Sequence, residues 1–407
     1  MKKISLVLLS ALIAIAVNAQ TVDTLTIQSK IFNQTRKIKV VLPAGYGKYS
    51  YLHSNKEMQY TVAYLFDSQA ESFFNFYKNT ISYLTSMGYT HLHPLILVGI
   101  SSADRQYEFL PKAQTQEGLK SYRKSGGADL LAEHLRDEVM PLINSKYHVS
   151  PYNIGIGHSL GATFVTYSML KYPELFNAGI AISPNFWYDN EQMVHKFDSL
   201  ANEKTFGHKF FYMAYGHGDQ LEEMFRPASK KVGELLVKKN IPGLIWQVKE
   251  LDVDEHGLTP VEGVFKGLVT WNRNLTLLDN QRDAFLNDKS KPFIDNVKDY
   301  FKTASSWSGL KLPMIDDLVD ISYGLFYSKH SAESIQVFKW GISLYPDNDN
   351  LYDSIAEVEL GSGDKAAALK YYTEGLEVVK RRRNELTDNI YNGKIAGFQK
   401  NIDRLKN

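Results

Sequence analysis

The strongest chemical signal in this 407-residue chain is a serine between two glycines, Gly157-His158-Ser159-Leu160-Gly161. An apolar run, Asn153–Ile156, precedes it and a helical stretch begins at Ala162. A serine on a tight strand-to-helix turn takes a strained backbone and lifts its hydroxyl above the sheet edge. Gly157 and Gly161 lack a Cβ, so strand and helix can approach closely. The helix N-terminus favours negative charge developing beside the hydroxyl. The chemistry that fits is nucleophilic attack by Ser159.

A nucleophilic serine needs a base, and an acid to orient the base. Five histidines lie downstream: His195, His208, His217, His256 and His330. His256 sits in Asp254-Glu-His-Gly-Leu-Thr-Pro260, after the strand pattern Leu244–Val248 and before a last helical stretch. A loop there returns an imidazole over the strand ends, so His256 is the expected base, and His217 lies where the acid should come. Asp219, just past the strand pattern Lys209–Ala214, is the expected acid, with Glu222 as the alternative. Two backbone N–H donors must face the oxyanion. One is expected at Leu160, the other in the loop Asp67–Ala70. His158 reads as support for the turn. His91 and His93 read as surface residues rather than metal ligands, and no metal or organic cofactor is implied. Arg105 reads as a carboxylate partner or an anion contact. Phe186 and Trp187 follow a strand end and read as pocket wall or as packing beneath the loop.

These residues need a rigid frame. Thr61–Phe66, Pro94–Ile100, Asn153–Gly157, Ala178–Ile182, Lys209–Ala214 and Leu244–Val248 are short apolar runs, the pattern of strands covered on both faces. Asp23–Gln28 and Arg36–Pro43 read as an edge hairpin. Helical stretches are expected at Gly127–Lys146, Ala162–Tyr172, Met224–Lys239 and Val261–Leu277. The alternation predicts an α/β fold with a doubly wound, mostly parallel sheet.

After about Asn280 the strand signal stops. Leu318, Ile321, Ser322, Ser334, Phe338 and Gly341 recur 34 residues later as Tyr352, Ile355, Ala356, Ala368, Tyr372 and Gly375. This resembles the tetratricopeptide (TPR) repeat and implies a smaller all-α domain over 312–407, reached through a helical linker, 280–311. A protein partner through that region is one expectation. Two repeats bury little by themselves, so docking on the sheet is another.

Lys2 and Lys3, the apolar run Leu6–Val17 and the small residues Val17-Asn18-Ala19 read as a cleaved secretory signal over 1–19. The expected location is periplasmic or secreted, with no integral span once the signal is removed. There is no cysteine, which rules out thiol catalysis and thiolate metal sites. Net charge is +1, with no block that would bind nucleic acid.

Taken together, Arg36–Pro43, Tyr64-Leu-Phe-Asp67, Val98-Gly-Ile100 with Arg105 and Glu108, Gly157–Gly161, Ser183-Pro-Asn-Phe-Trp187 and the His256 loop resemble the α/β-hydrolase esterases that include enterochelin esterases, esterase D, feruloyl esterase domains and mycolyltransferases. The resemblance covers about residues 22–275. It implies an α/β-hydrolase fold over 20–279 and hydrolysis of a small-molecule or glycan ester. It also places the second oxyanion N–H at Gln69. Asp67, Arg105, Phe186 and Trp187 are the candidate substrate-pocket residues. Ser68 stands where the family usually has glycine. An acyltransferase would use the same residues, and a non-catalytic TPR-type binding protein is the reading from another class.

Overall fold

The computed structural model describes residues 22–44, 46, 58–86, 92–199 and 206–406. The leader read at 1–19 lies outside them, as does His91. Eight strands form one sheet: β1 (Val22–Ser29), β2 (Gln34–Val41), β3 (Tyr60–Phe66), β4 (Leu95–Ile100), β5 (Val149–His158), β6 (Ala178–Ile182), β7 (Lys209–Tyr215) and β8 (Leu244–Glu250). Their spatial order is β1-β2-β4-β3-β5-β6-β7-β8. β1 and β2 pair antiparallel and β2 joins β4 antiparallel. Every other pairing is parallel, so six strands end on one side of the molecule.

β3 shows why its run is continuously apolar. Val62, Tyr64 and Phe66 enter the apolar core on one face of the sheet, while Ala63 and Leu65 enter the core on the other. Side chains alternate along a strand, so a strand covered on both faces has no polar set to show. The helices that cover it are α1 (Glu71–Ser86), α2 (Arg105–Phe109), α3 (Gln116–Ser121), α4 (Ala128–His134), α5 (Met140–Lys146), α6 (Leu160–Lys171), α7 (Tyr188–Ser199), α8 (Gln220–Lys239) and α9 (Thr259–Asn272). α4 and α5 are joined by a π-helical turn, Leu135–Val139, within the single helix expected there.

A helical region follows, comprising α10 (Asp279–Asn287), α11 (Phe293–Ser308), α12 (Ile315–Tyr327), α13 (Ser331–Leu344), α14 (Asp349–Gly361), α15 (Lys365–Arg381) and α16 (Asp388–Lys406). α14 begins 34 residues after α12, and α15 begins 34 after α13. The small residues of the repeat lie where helices meet. A Cβ on Gly341 would stand 3.1 Å from Leu318, and one on Gly375 2.5 Å from Phe398.

The helices rest on the sheet at the N-terminal ends of its strands. Trp307 lies 6.2 Å from Tyr152 and stacks on His208 at 6.3 Å. Leu310 is buried in the same apolar cluster as Tyr152 and Trp271. His93, just before β4, sits 3.1 Å from Asp317 of α12, both side chains 3% exposed. This surface is at the opposite end of the sheet from Ser159. Ending the chain near Asp279 is therefore expected to lower the melting temperature by bringing Trp271 and Tyr152 toward water. On the ester hydrolysis that the sequence resemblance implies, turnover per folded molecule should be unchanged. Loss of that turnover in protein with a native circular dichroism spectrum would show that the helices reach the site.

Candidate active site

Ser159 lies between the last residue of β5 and the first of α6, with φ 58° and ψ −121°. That combination is costly for a residue with a Cβ and persists only where the surroundings impose it. The surroundings here are the close approach of strand and helix. A Cβ on Gly157 would stand 2.3 Å from the Gly161 carbonyl carbon, so only glycine fits. The Ser159 N–H donates to Ile182 O of the neighbouring strand at 2.9 Å. Leu160 is the first residue of α6, where an N–H has no helical carbonyl to bond.

The turn after β3 sits beside this elbow: a Cβ on Gly161 would lie 3.6 Å from Asp67 Oδ2. The left-handed residue of the turn is Asp67, φ 73°, so Ser68 needs no glycine. Ser68 is buried and its Oγ lies 2.9 Å from Ser101 Oγ. The room comes from β4, where a Cβ on Gly99 would collide with Ser68 Cβ at 2.7 Å. Ser68 N–H donates to Ile100 O and Ala70 N–H to Asp67 O. Neither bond uses the Gln69 N–H between them. The Gln69 side chain is pinned, donating to Asp67 Oδ1 at 2.7 Å and accepting from Ser102 N–H at 3.0 Å.

Asp67 and Arg105 pair with each other in a two-pronged contact, Nε to Oδ1 at 2.6 Å and Nη2 to Oδ2 at 2.8 Å. The Arg105 side chain remains 43% exposed. The start of α2, where Arg105 stands, is braced by Arg36 and Glu108. Arg36 Nη2 and Nη1 donate to the Glu108 carboxylate at 2.6 and 3.1 Å, Nη2 also donates to Ser101 O, and Ala103 N–H donates to Glu108. Both side chains are buried. Removing one partner strands the other charge, so Arg36→Ala is expected to cost about 3–5 kcal/mol in denaturant unfolding. A loss under 1 kcal/mol would contradict that role.

His256 begins a short helical turn before α9. Its Nδ1 lies 2.6 Å from Glu222 Oε1, and the Glu222 carboxylate is fully buried. Glu222 Oε2 accepts from Gly216 N–H at 2.7 Å. With Nδ1–H donated to Glu222, Nε2 is the atom left to take a proton. Asp219, expected against the imidazole, is not the residue placed there. It caps α8, its Oδ1 accepting from Glu222 N–H at 2.8 Å and its Oδ2 from the His256 backbone N–H at 2.5 Å. The physical reason is where α8 begins. The helix starts at Gln220, four residues before the expected Met224, so Glu222 falls in its first turn, under the histidine loop.

His158 supports the same loop. Its Nε2–H donates to His256 O at 3.0 Å, and the two rings lie 4.4 Å apart. Thr259 Oγ1 donates to that carbonyl too and accepts from Ser183 Oγ. Burial, with smaller contributions from His256 and Arg105, pushes the His158 pKa down to about 3. A histidine held neutral in the fold stabilises fully above its unfolded pKa of about 6.5 and loses that contribution as pH falls. Stability is thus expected to decline from about pH 6.5 toward pH 3, more shallowly in His158→Gln. An identical slope in the variant would refute this.

Phe186 is not a pocket wall. It is fully buried and packs on Phe197 at 6.4 Å, because the backbone after β6 turns it into the core. Trp187 is half-buried and borders a small depression with Gly118 and Asp189. The sequence reading missed Asp189, Asn190 and Glu191, three consecutive left-handed residues. Asp189 accepts from Gln114 N–H, from the N–H and Oγ1 of Thr115, and from Gln192, tying the segment after α2 to α7. No local residue signal marks such a turn, since its partners lie 74 and 75 positions away.

The mostly parallel sheet and the serine elbow between β5 and α6 define the class by fold: an α/β-hydrolase fold. Residues 29–221 match the model of the family described as Putative esterase. Among solved structures, the chain is similar to an IroE-like serine hydrolase from Shewanella oneidensis, with TM-score 0.61 and 19% identity over 78% of this chain and 96% of that one. It is similar to an uncharacterised protein from Capnocytophaga ochracea, with TM-score 0.60 and 15% identity over 93% and 99%, so that likeness takes in most of the helical region. The BES protein from Bacillus cereus gives TM-score 0.52 at 19% identity, over 66% and 97%. A curated relative, the uncharacterized protein YbbA of Bacillus subtilis (strain 168), is 28% identical over 128 residues, 30% of this chain. The chain spans about half the length of that relative, 51%. No helix among the described residues is long and apolar enough to cross a membrane.

Proposed function

We propose that the protein is an exported serine esterase working through an acyl-enzyme. The observation that carries the reading is Ser159 in its strained elbow, with His256, whose Nδ1 is engaged by a buried glutamate, 4.4 Å ring to ring from the adjoining His158. Ser159 Oγ bonds to the ester carbonyl carbon while its proton passes to His256 Nε2. The N–H groups of Leu160 and Gln69 receive the oxyanion. The carbon–oxygen bond to the alcohol breaks and His256 returns the proton to the alcohol oxygen. Water then repeats the sequence and frees the acid. Glu222 orients the imidazole and Asp219 anchors the loop that carries it. Export rests on the leader sequence, and a TPR-like role for the helical region rests on its 34-residue recurrence. A fluorophosphonate probe should label the wild-type protein and leave Ser159→Ala unlabelled. Labelling that survives in the variant would overturn the assignment.

A further inference from the structure

The turn after β3 is held at its centre by a side chain from two strands away. Lys39 of β2 donates from Nζ to Ser68 O at 2.8 Å. The same ammonium lies 4.7 Å from the centre of the Phe74 ring and pairs with Glu71, both on α1. The Lys39 side chain is 17% exposed, so its charge is largely withdrawn from water and spent on these contacts. A charged donor makes a hydrogen bond roughly twice as strong as a neutral one. Asp67 to Ala70 is a β-turn closed by Ala70 N–H on Asp67 O at 3.2 Å. Such turns differ in the direction of their central peptide while the closing bond stays. The central peptide here joins Ser68 O to the Gln69 N–H. The bonds from Ser68 N–H and Ala70 N–H hold the peptides on either side of it. Among the described residues, Lys39 is the one that holds the central peptide itself.

That peptide is trans, so its C=O and N–H point to opposite sides. Holding Ser68 O toward Lys39 therefore turns the Gln69 N–H away from β2. The strand order gives this direction a meaning. It runs β2-β4-β3-β5, so Lys39 reaches the turn from one side of β3, while Ser159 follows β5 on the other. The N–H is aimed across the end of β3 toward the serine elbow. A cation on the carbonyl oxygen also polarises the peptide and strengthens its N–H as a donor. Resting on the serine-esterase reading, we propose that Lys39 is a positioning residue for ester hydrolysis: by holding Ser68 O it aims and polarises the Gln69 N–H that receives the oxyanion. Its action passes through the peptide alone.

Lys39→Met tests this, since it keeps an apolar stem against Phe74 and removes the donor and the charge. Lys39→Gln, shorter and neutral, is the second variant. The substrate is a small neutral ester, p-nitrophenyl acetate, and rates are counted per serine that the fluorophosphonate labels. In both variants kcat should fall about tenfold to hundredfold, less than the loss of a whole donor. KM should stay within about twofold, because ground-state binding is untouched. A trifluoromethyl ketone, whose carbonyl becomes an oxyanion on Ser159, should inhibit more weakly by the factor that kcat/KM loses. A residue that only supports the fold would lower the labelled fraction and leave kcat per labelled serine and ketone inhibition as they are. That pattern in both variants, or a loss confined to KM, would overturn the proposal while the esterase reading stands. A wild type that the fluorophosphonate does not label would end the esterase reading and this role with it.

Discussion

Ser159→Ala and His256→Ala are each expected to lower kcat on a small ester by about 10⁴–10⁶-fold, and the double variant by no more than the worse of the two. In the proposed acyl-enzyme reaction the hydroxyl becomes a nucleophile only as its proton leaves, and His256 Nε2 is its acceptor. Without the imidazole the serine keeps its proton, and without the serine the imidazole has nothing to activate. Two residues that act as one unit lose their function together. On that proposal, what remains comes from binding and from the Leu160 and Gln69 N–H donors. These belong to the elbow and to the turn after β3, so neither substitution removes them. The measurement is kcat on folded protein for the two single variants and the double. Multiplying losses would mean that the residues act independently and that the pair is not the engine.

Much of this frame was legible because burial on both faces writes itself into the strands. All six of the expected apolar runs are strands, and the edge hairpin pairs from Val22 opposite Val41 to Ser29 opposite Gln34. Ser159 was legible because Gly157 answers a steric need that no other residue meets, and Gly161 lies tight against Phe66. The losses have local causes. α1 opens with Phe73, Phe74, Phe76 and Tyr77, an aromatic run that hides a helical period. Phe186 stands at a strand end as a pocket residue would, and only the backbone path decides that it points inward. Asp189 is held by a loop far away in sequence. Which of the two expected carboxylates meets the imidazole turned on a boundary. Asp219-Gln-Leu-Glu222 is an N-cap signature, aspartate followed three residues later by glutamate. Read that way, it starts α8 at Gln220 and makes Asp219 a cap, which leaves Glu222 for the imidazole.

That boundary gives the second large effect. Glu222→Gln is expected to reduce kcat by about 10³–10⁴-fold. A glutamine that turns its amide N–H toward Nδ1 favours the wrong tautomer, with the proton on Nε2 and nothing there to accept the serine proton. Asp219→Asn should cost much less, about tenfold or below. The imidazole keeps its glutamate, and what is lost is one acceptor for the His256 backbone N–H. Its signature should instead be stability. Burial alone would raise the Asp219 pKa, but hydrogen bonds from the Glu222 and His256 N–H groups outweigh it and hold the carboxyl below its usual value. A depressed carboxyl stabilises the fold above its unfolded pKa of about 4 and loses that contribution as pH falls through the folded value. The wild type should therefore lose melting temperature more steeply below about pH 4 than Asp219→Asn does. Thermal melts from pH 3 to 7, beside kcat for both variants, separate the roles. A larger kcat loss in Asp219→Asn than in Glu222→Gln would return the acid to Asp219 and leave the Glu222–His256 contact as a structural bond.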